Sequence, residues 1–345
     1  MKLLQVHRDV IRCISHRATL SVHELGTLLP YKAHVIRRSL DQLLEKKVIK
    51  KSVMCNFYRL GYTPHNLHFS LATRDPKKKK AILDHIIRHP QISWCGGITG
   101  ELPYEVTFLA RDLSEIGNFF DQLSDRHGPI FEKKKIGSEM CHNYFGPKYI
   151  SSTPIPIPTL TLEEPSEKIE LDHVDCTLMY YLCFDGDIRL ADMAKKLGLG
   201  ISTLTYRKKR LCDIGVLLSE VYFVDRDRFV PINFNVMLST TVSDSRFREA
   251  LATFCKNDPH FFCCHRCIGN WDYKINIQGE ELASTTAAIE RLKDTFGENI
   301  ASLDVVTVVR HYKDAFFPFY KELQQVTKVP ALERNIVPFG EVRRA

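Results

Sequence analysis

Residues 198–217 read GLGISTLTYRKKRLCDIGVL. Ile201, Leu204 and Leu211 recur at helical spacing, and Gly215 stands where a helix C-terminal glycine belongs. The stretch therefore predicts a helix from about Ser202 to Ile214. Inside it Arg207, Lys208, Lys209 and Arg210 are consecutive cations. Four adjacent residues point around more than one helical turn, so some of this charge must lie against the packed side.

Working outward, a short helix from Leu190 to Leu197 ends at Gly198. Before it, Leu171, Val174, Leu178 and Leu182 mark a longer helix, broken off at Asp185-Gly186-Asp187. After the cationic helix comes a β-rich run, VLLSEVYFVD. Three helices followed by a β wing form a winged helix-turn-helix, whose third helix commonly enters the DNA major groove.

The same pattern occurs earlier in the chain. Val10-Ile11 aligns with Leu178-Met179, and Val48-Ile49 aligns with Val216-Leu217 at the same offset. His89-Pro90, Gly100 and Tyr104 align with Asp258-Pro259, Gly269 and Tyr273, again at a constant offset. One architectural unit is used twice. In the first copy Ser21-Val22-His23-Glu24 is a capping box opening the second helix. Pro30 ends that helix, and Ile36, Leu40 and Leu43 share one face of the third. The run VIKKSVMCNFY then predicts a wing of its own.

The second half of each unit alternates strands and helices. In the later copy the reading is strand 233–241, helix 244–256, strands 261–268 and 272–278, helix 282–296 and strand 301–309. The βαββαβ order is ferredoxin-like, an antiparallel sheet with both helices on one face. The bare face must meet another sheet or leave apolar surface wet. The fold class is α+β, as two copies of winged helix-turn-helix plus ferredoxin-like domain. The expected limits are 1–62 and 63–148 for the first unit and 171–231 and 232–322 for the second. A connector over 149–170 is stiffened by Pro154, Pro156 and Pro158, and a flexible tail covers 323–345.

The 345 residues suffice for several cores. No apolar run is long enough to span a bilayer, and MKLLQVHRDV carries no signal-peptide pattern, so a soluble, cytoplasmic protein is expected. Eleven scattered cysteines suit reduced thiols, and a formal charge of +7 permits an anionic partner.

The segments LDHVDCTLMYYLCFDGDIRLADMAKKLGLGISTLTYRKKRLCDIGVL and PHFFCCHRCIGNWDYKINIQGEEL resemble the DNA-binding and ligand-sensing halves of the leucine-responsive/asparagine-regulator (Lrp/AsnC) transcription regulators. The resemblance covers nearly the whole chain, twice over. It is closer in the second unit, since the first has Pro30-Tyr31 for Gly198-Leu199 and lacks an opening Asp pair. It implies double-stranded DNA as partner and helix 201–214 as reader. Ser202, Thr203, Thr205, Tyr206, Arg207, Lys209 and Arg210 would touch bases or phosphates, with Lys208 snorkelling between Leu204 and Leu211. Lys32, His34, Arg37 and Arg38 occupy the comparable surface of the first unit. The resemblance also implies an amino-acid-like effector at the Gly269, Asp272, Tyr273 turn, with Gly100 and Tyr104 at the matching turn. Asp272 would pair an ammonium, and backbone N–H groups beside Gly269 would take a carboxylate. Further self-association through the sensor sheets is a second implied contact.

Cys263, His265 and Cys267 would share one face of a strand. Zinc wants four ligands, and no second pair of suitable spacing is evident, so no metal and no cofactor is expected. No phosphate loop, nucleophile elbow or Rossmann fingerprint is present, and no enzyme is expected. The competing reading is a tetrapyrrole enzyme like the sirohaem decarboxylases, which share the two-part unit. His65, His68, His142 and His265 lie in sensor segments, but the His-x-Tyr-Asn-Leu-Trp-like strand is absent.

Overall fold

The computed structural model describes residues 2–163, 167–184, 186, 188–225, 229–230 and 232–314. Asp185, Asp187 and the expected tail over 323–345 lie outside the described residues. In the first unit α1 (Gln5–Ile14), α2 (Val22–Leu28) and α3 (Ala33–Glu45) lead into strand β1 (Ile49–Cys55). Ser21 and Glu24 close the capping box reciprocally, each backbone N–H donating to the other's side chain. Val10, Ile14, Leu25, Ile36 and Leu43 are buried where the three helices meet.

The first sensor domain runs β2 (Thr63–Leu71), α4 (Pro76–Arg88), β3 (Ile92–Ile98), β4 (Tyr104–Ala110), α5 (Leu113–His127) and β5 (Phe131–Tyr144). After the connector strand β6 (Leu160–Glu163) come α6 (His173–Phe184), α7 (Leu190–Leu197), α8 (Ile201–Asp213) and β7 (Leu217–Val224). The second sensor domain is β8 (Ile232–Thr240), α9 (Ser245–Asn257), β9 (Phe261–Gly269), β10 (Tyr273–Gly279), α10 (Leu282–Phe296) and β11 (Ile300–Asp314). The repeat survives in backbone detail. Gly215 has φ +69°, and its counterpart in the first unit, Lys47, adopts φ +52°. Glycine takes that conformation without a Cβ penalty; lysine does not.

The wings differ from expectation. Each unit supplies a single wing strand, and β1 pairs antiparallel with β7 in a two-stranded ribbon shared by both units. The exchange extends to the cores. Val53, Met54 and Cys55 of β1 pack with the α6–α8 helices, while Tyr222 and Val224 of β7 pack against the α1–α3 helices. A two-stranded ribbon alone is marginally stable in water, and here each strand is held by the other unit's helices. The connector is built in as well. Ile150 and Ile155 are buried in the first helical core, and β6 pairs with the end of β5.

The ferredoxin-like sheets have the orders β5-β2-β4-β3 and β11-β8-β10-β9. Two long strands cross between them. β5 pairs β2 through Ser138 and then β9 from Gly137 onward; β11 pairs β8 through Thr307 and then β3 from Val308. These crossings close eight strands into one antiparallel cylinder. The bare faces turn inward against each other, and neither is left wet.

Side chains alternate accordingly. Leu67, Phe69, Val106 and Phe108 face outward under α4 and α5; Val236, Leu238, Ile275 and Ile277 do so under α9 and α10. The inward row is polar. Asn66 and Asn235 are equivalent positions of the two units, as are Glu105 and Lys274; the last two meet on the pseudo-two-fold axis, with the asparagines flanking them. Lys274 Nζ makes a buried ion pair with Glu105 and donates to Asn66 Oδ1 at 3.2 Å. Asn235 Nδ2 donates to the other Glu105 oxygen at 2.9 Å, and His68 Nε2 lies 3.5 Å from it. Burial alone would raise the Glu105 pKa, but Lys274 and His68 outweigh it and hold the carboxyl well below its usual range.

Lys274→Met leaves Glu105 buried without its cation and is expected to cost about 3–5 kcal/mol, while adding Glu105→Met recovers much of that loss. Chemical denaturation of the two single variants and the double variant measures the cycle. Acid should act on the same pair. Glu105 titrates lower folded than unfolded, so its contribution is full above its ordinary pKa of 4.5 and is lost as the pH falls further. A wild-type melting temperature that drops more steeply below that pH than the Met/Met variant's is the expected result.

Candidate functional site

The cations of α8 are mostly spoken for. Arg207 Nη1 donates to Asp172 at 2.6 Å and to Asp175 at 2.9 Å; Arg210 Nη1 donates to Asp175 at 2.8 Å. Lys208 pairs with Glu220 on β7, which also takes Lys51 from β1 at 2.7 Å. Asp175 is 1% exposed, so these bonds fix α8 against the start of α6. Both guanidinium groups, which the sequence assigns to DNA, here hold carboxylates of the same unit. Lys208 does not simply snorkel. Ser202, Thr203, Thr205, Tyr206 and Lys209 are exposed on the outer face of α8.

On α3 the balance is reversed. Lys32, His34, Arg37 and Arg38 are all exposed, and none makes an ion pair among the described residues. Here the loop before the helix is fixed without them. Tyr31 Oη donates to Asp9 at 2.7 Å, and Asp9 also accepts from Ser151 and Thr153 of the connector. The first unit thus keeps its helix-turn-helix in place by a neutral donor, leaving the basic side chains open.

The two sensor turns do not form separate sites. Gly100 of one and Asn270-Trp271 of the other line a single cleft of about 280 Å³, with Lys135, Ser239 and Asp304 on its walls. Gly269 has φ +134°, and an added Cβ would collide with the Ile136 carbonyl oxygen. Asn270 locks the same residue, its N–H donating to Ile136 O at 2.9 Å and its side-chain oxygen accepting from Ile136 N at 2.8 Å. Asp272 Oδ2 accepts from Thr240 N at 2.7 Å and from Thr240 Oγ1 at 3.2 Å. Its carboxylate is committed to the end of β8 and not to the cleft. Tyr273 is buried beneath α9 against Phe247, and Tyr104 leans on Phe69, so neither lines the cleft.

A second concavity lies inside the cylinder, with about 100 Å³ open to water-sized molecules. It is walled by Trp94 and His311 at one seam and by Glu139, His142, Cys263 and His265 at the other. His265 Nδ1 lies 2.7 Å from Glu139 Oε1, and its Nε2 lies 3.0 Å from Cys263 Sγ. His142 is the residue directly opposite His265 across β5 and β9, with ring centroids 3.5 Å apart. Burial would lower the His265 pKa, but Glu139 and the Cys263 sulfur reverse this and push it up. Burial would raise the Cys263 thiol, but the two imidazoles hold it down. Asn66 Nδ2 donates to Glu139 at 2.7 Å and so joins this cluster to the axial ion pair. Cys267, expected on the same face, sits by the His265 carbonyl and Trp271 instead of among the ligand atoms. Sequence reasoning misses Glu139 and His142 as partners of β9, because a contact across a seam between units leaves no local spacing in the chain.

No family model matches the chain. The proline dehydrogenase transcriptional activator of Rhizobium radiobacter is 25% identical over 140 residues, covering 40% of this chain and 85% of that protein. The Bkd operon transcriptional regulator of Pseudomonas aeruginosa is 25% identical over 123 residues, covering 34% and 78%. Among solved structures the siroheme decarboxylase NirDL aligns with 93% of this chain and 96% of its own, with TM-score 0.61 and 12% identity. In sequence the chain is thus similar, one unit at a time, to these transcription regulators, and in overall fold to the decarboxylase. Each regulator relative matches about one unit's length, and this chain carries two units of that architecture.

The two turn glycines make a clean test of the seam. Both have positive φ, but an alanine Cβ at Gly100 would meet nothing nearer than Val306 at 3.9 Å. Gly269→Ala is expected to lower the melting temperature clearly more than Gly100→Ala, since it adds a backbone collision to the conformational cost, about 1–3 kcal/mol, of a side chain at positive φ. Thermal unfolding of the two variants side by side measures the difference.

Proposed function

We propose that the chain is a DNA-binding transcription regulator working as a single-chain pseudo-dimer. The observation that carries the reading is the open basic face of α3 together with the polar outer face of α8, each the third helix of a helix-turn-helix and each leading into a strand of one shared ribbon. The regulator relatives support it at the level of class. In this reading the first unit supplies the phosphate-binding charge through Lys32, Arg37 and Arg38. The second supplies Ser202, Thr203, Thr205, Tyr206 and Lys209. The two halves differ, so the chain reads two unlike half-sites. The cleft between the turns is the effector site, with Gly100, Asn270 and Trp271 facing the ligand. Its size suits an amino-acid-sized molecule.

The tetrapyrrole alternative has the NirDL likeness behind it, and at 12% identity that likeness speaks for the fold alone. The cylinder's interior does not favour it. Pockets for drug-sized ligands run to roughly 300–1,000 Å³, against about 100 Å³ here.

Replacing Arg37 and Arg38 with Ala should weaken binding to selected DNA fragments and reduce the salt slope by about 2 log units per log salt. The variant should melt like the wild type. Arg207→Ala with Arg210→Ala should instead destabilise the protein, because Asp175 is left buried without a cation. Unchanged shift titrations in a folded Arg37/Arg38 variant would place DNA elsewhere. Incubation with sirohaem and a visible spectrum decides the alternative: a bound, turned-over tetrapyrrole would replace the regulator reading.

A further inference from the structure

We infer that His142, Cys263 and His265 form a binding site for a divalent transition metal, with zinc the ion the donor set favours. One nitrogen or sulfur atom from each of these residues lies within 4.8 Å of the other two. Thiolate plus two imidazoles is a borderline-soft set that suits zinc and excludes magnesium and calcium. The inference does not depend on the DNA reading.

Three independent features point to a ligand there. His142 is 5% exposed, and its ring nitrogens have only long or poorly aligned partners, Nδ1 lying 3.4 Å from Glu139. A buried imidazole so weakly partnered gains from a metal bond what its hydrogen bonds do not supply. Its plane is already set by stacking on Tyr144, with centroids 4.0 Å apart. His265 has the outer partner that metal-bound histidines usually have. Glu139 takes its Nδ1 side, leaving Nε2 toward Cys263. Finally, the cluster fronts the interior cavity, which leaves a fourth position for water or a small ligand. Tetrahedral zinc sets its N and S ligands roughly 3.5 Å apart, so the His265–Cys263 pair opens by about half an ångström from its 3.0 Å.

The site belongs to one seam only. At the equivalent positions of the other unit, the β3–β11 seam carries Trp94, Gly96 and His311 in place of Cys263, His265 and His142. Trp94 lies over Gly96 there and fills the space. The metal would therefore clamp β5 of the first unit to β9 of the second, at a place where only the heterologous pairing assembles the ligands.

The test is metal binding by the full-length purified chain. After incubation with zinc and dialysis, elemental analysis should give about one equivalent per chain. Cobalt(II) should give a thiolate-to-cobalt charge-transfer band in the near ultraviolet. Cys263→Ser and His142→Gln should lose that equivalent, Cys267→Ser should keep it, and Glu139→Gln should weaken affinity by about 10–100-fold. Circular dichroism checks that each variant is folded. Should the ligand variants fail to fold, the wild-type cobalt spectrum decides alone, because the band reports direct sulfur ligation. A wild-type chain with no zinc and no such band overturns the inference, as does a folded Cys263→Ser variant that retains the metal.

Discussion

The Glu105–Lys274 ion pair is the interaction on which this architecture turns. The two residues occupy the same position of a repeated unit, on the pseudo-two-fold axis of the cylinder. A symmetric dimer of either unit would bring Glu against Glu or Lys against Lys there, in a buried setting where like charges repel strongly. The fused chain resolves this by dividing the signs between its halves. Asn66 and Asn235 keep their symmetry and adapt by donor choice, one accepting from Lys274 and the other donating to Glu105. Such a buried pair adds little net stability over an apolar one, but it discriminates sharply between right and wrong partners.

From that axis the structure is continuous in both directions. Asn66 reaches Glu139, and Glu139 reaches His265 and the seam cluster. On the other side β5 runs into the connector, whose Ile150 and Ile155 share a core with Tyr222 and Val224 of the β1–β7 ribbon, against which α8 is pinned by Lys208 and Glu220. Helices α3 and α8 are thus tied to the eight-stranded cylinder through elements that belong to both units. A ligand that shifts the seam has a physical route to the helices, because packed interfaces move as discrete arrangements.

Much of this is legible in the sequence, and the limit has a physical form. Helical and strand periodicity marks the elements of the second unit to within a residue or two at most ends, and the repeat offset carries them to the first. Local chemistry such as Ser21-Glu24 and Gly215 is readable because its partners are neighbours in the chain. Contacts made across units or between distant helices are not. Arg207 and Arg210 look like DNA contacts because Asp172 and Asp175 lie far upstream, and nothing in the run RKKR announces that pairing. The wing strands read as belonging to their own units, since β propensity does not say which strand is the partner. His142 stands out as a histidine but not as the neighbour of His265. Glu105 and Lys274 do carry a signal: opposite charges at one repeat position.

The central claim is that each half of the chain is built to pair with the other and not with itself. Native mass spectrometry of a chain split within 164–166, its two parts co-expressed and mixed at varied ratios, tests it directly. Complexes containing one copy of each part, with the surplus part left unpaired or unfolded, are the result this account predicts. Stable pairs of two first parts or two second parts would contradict it.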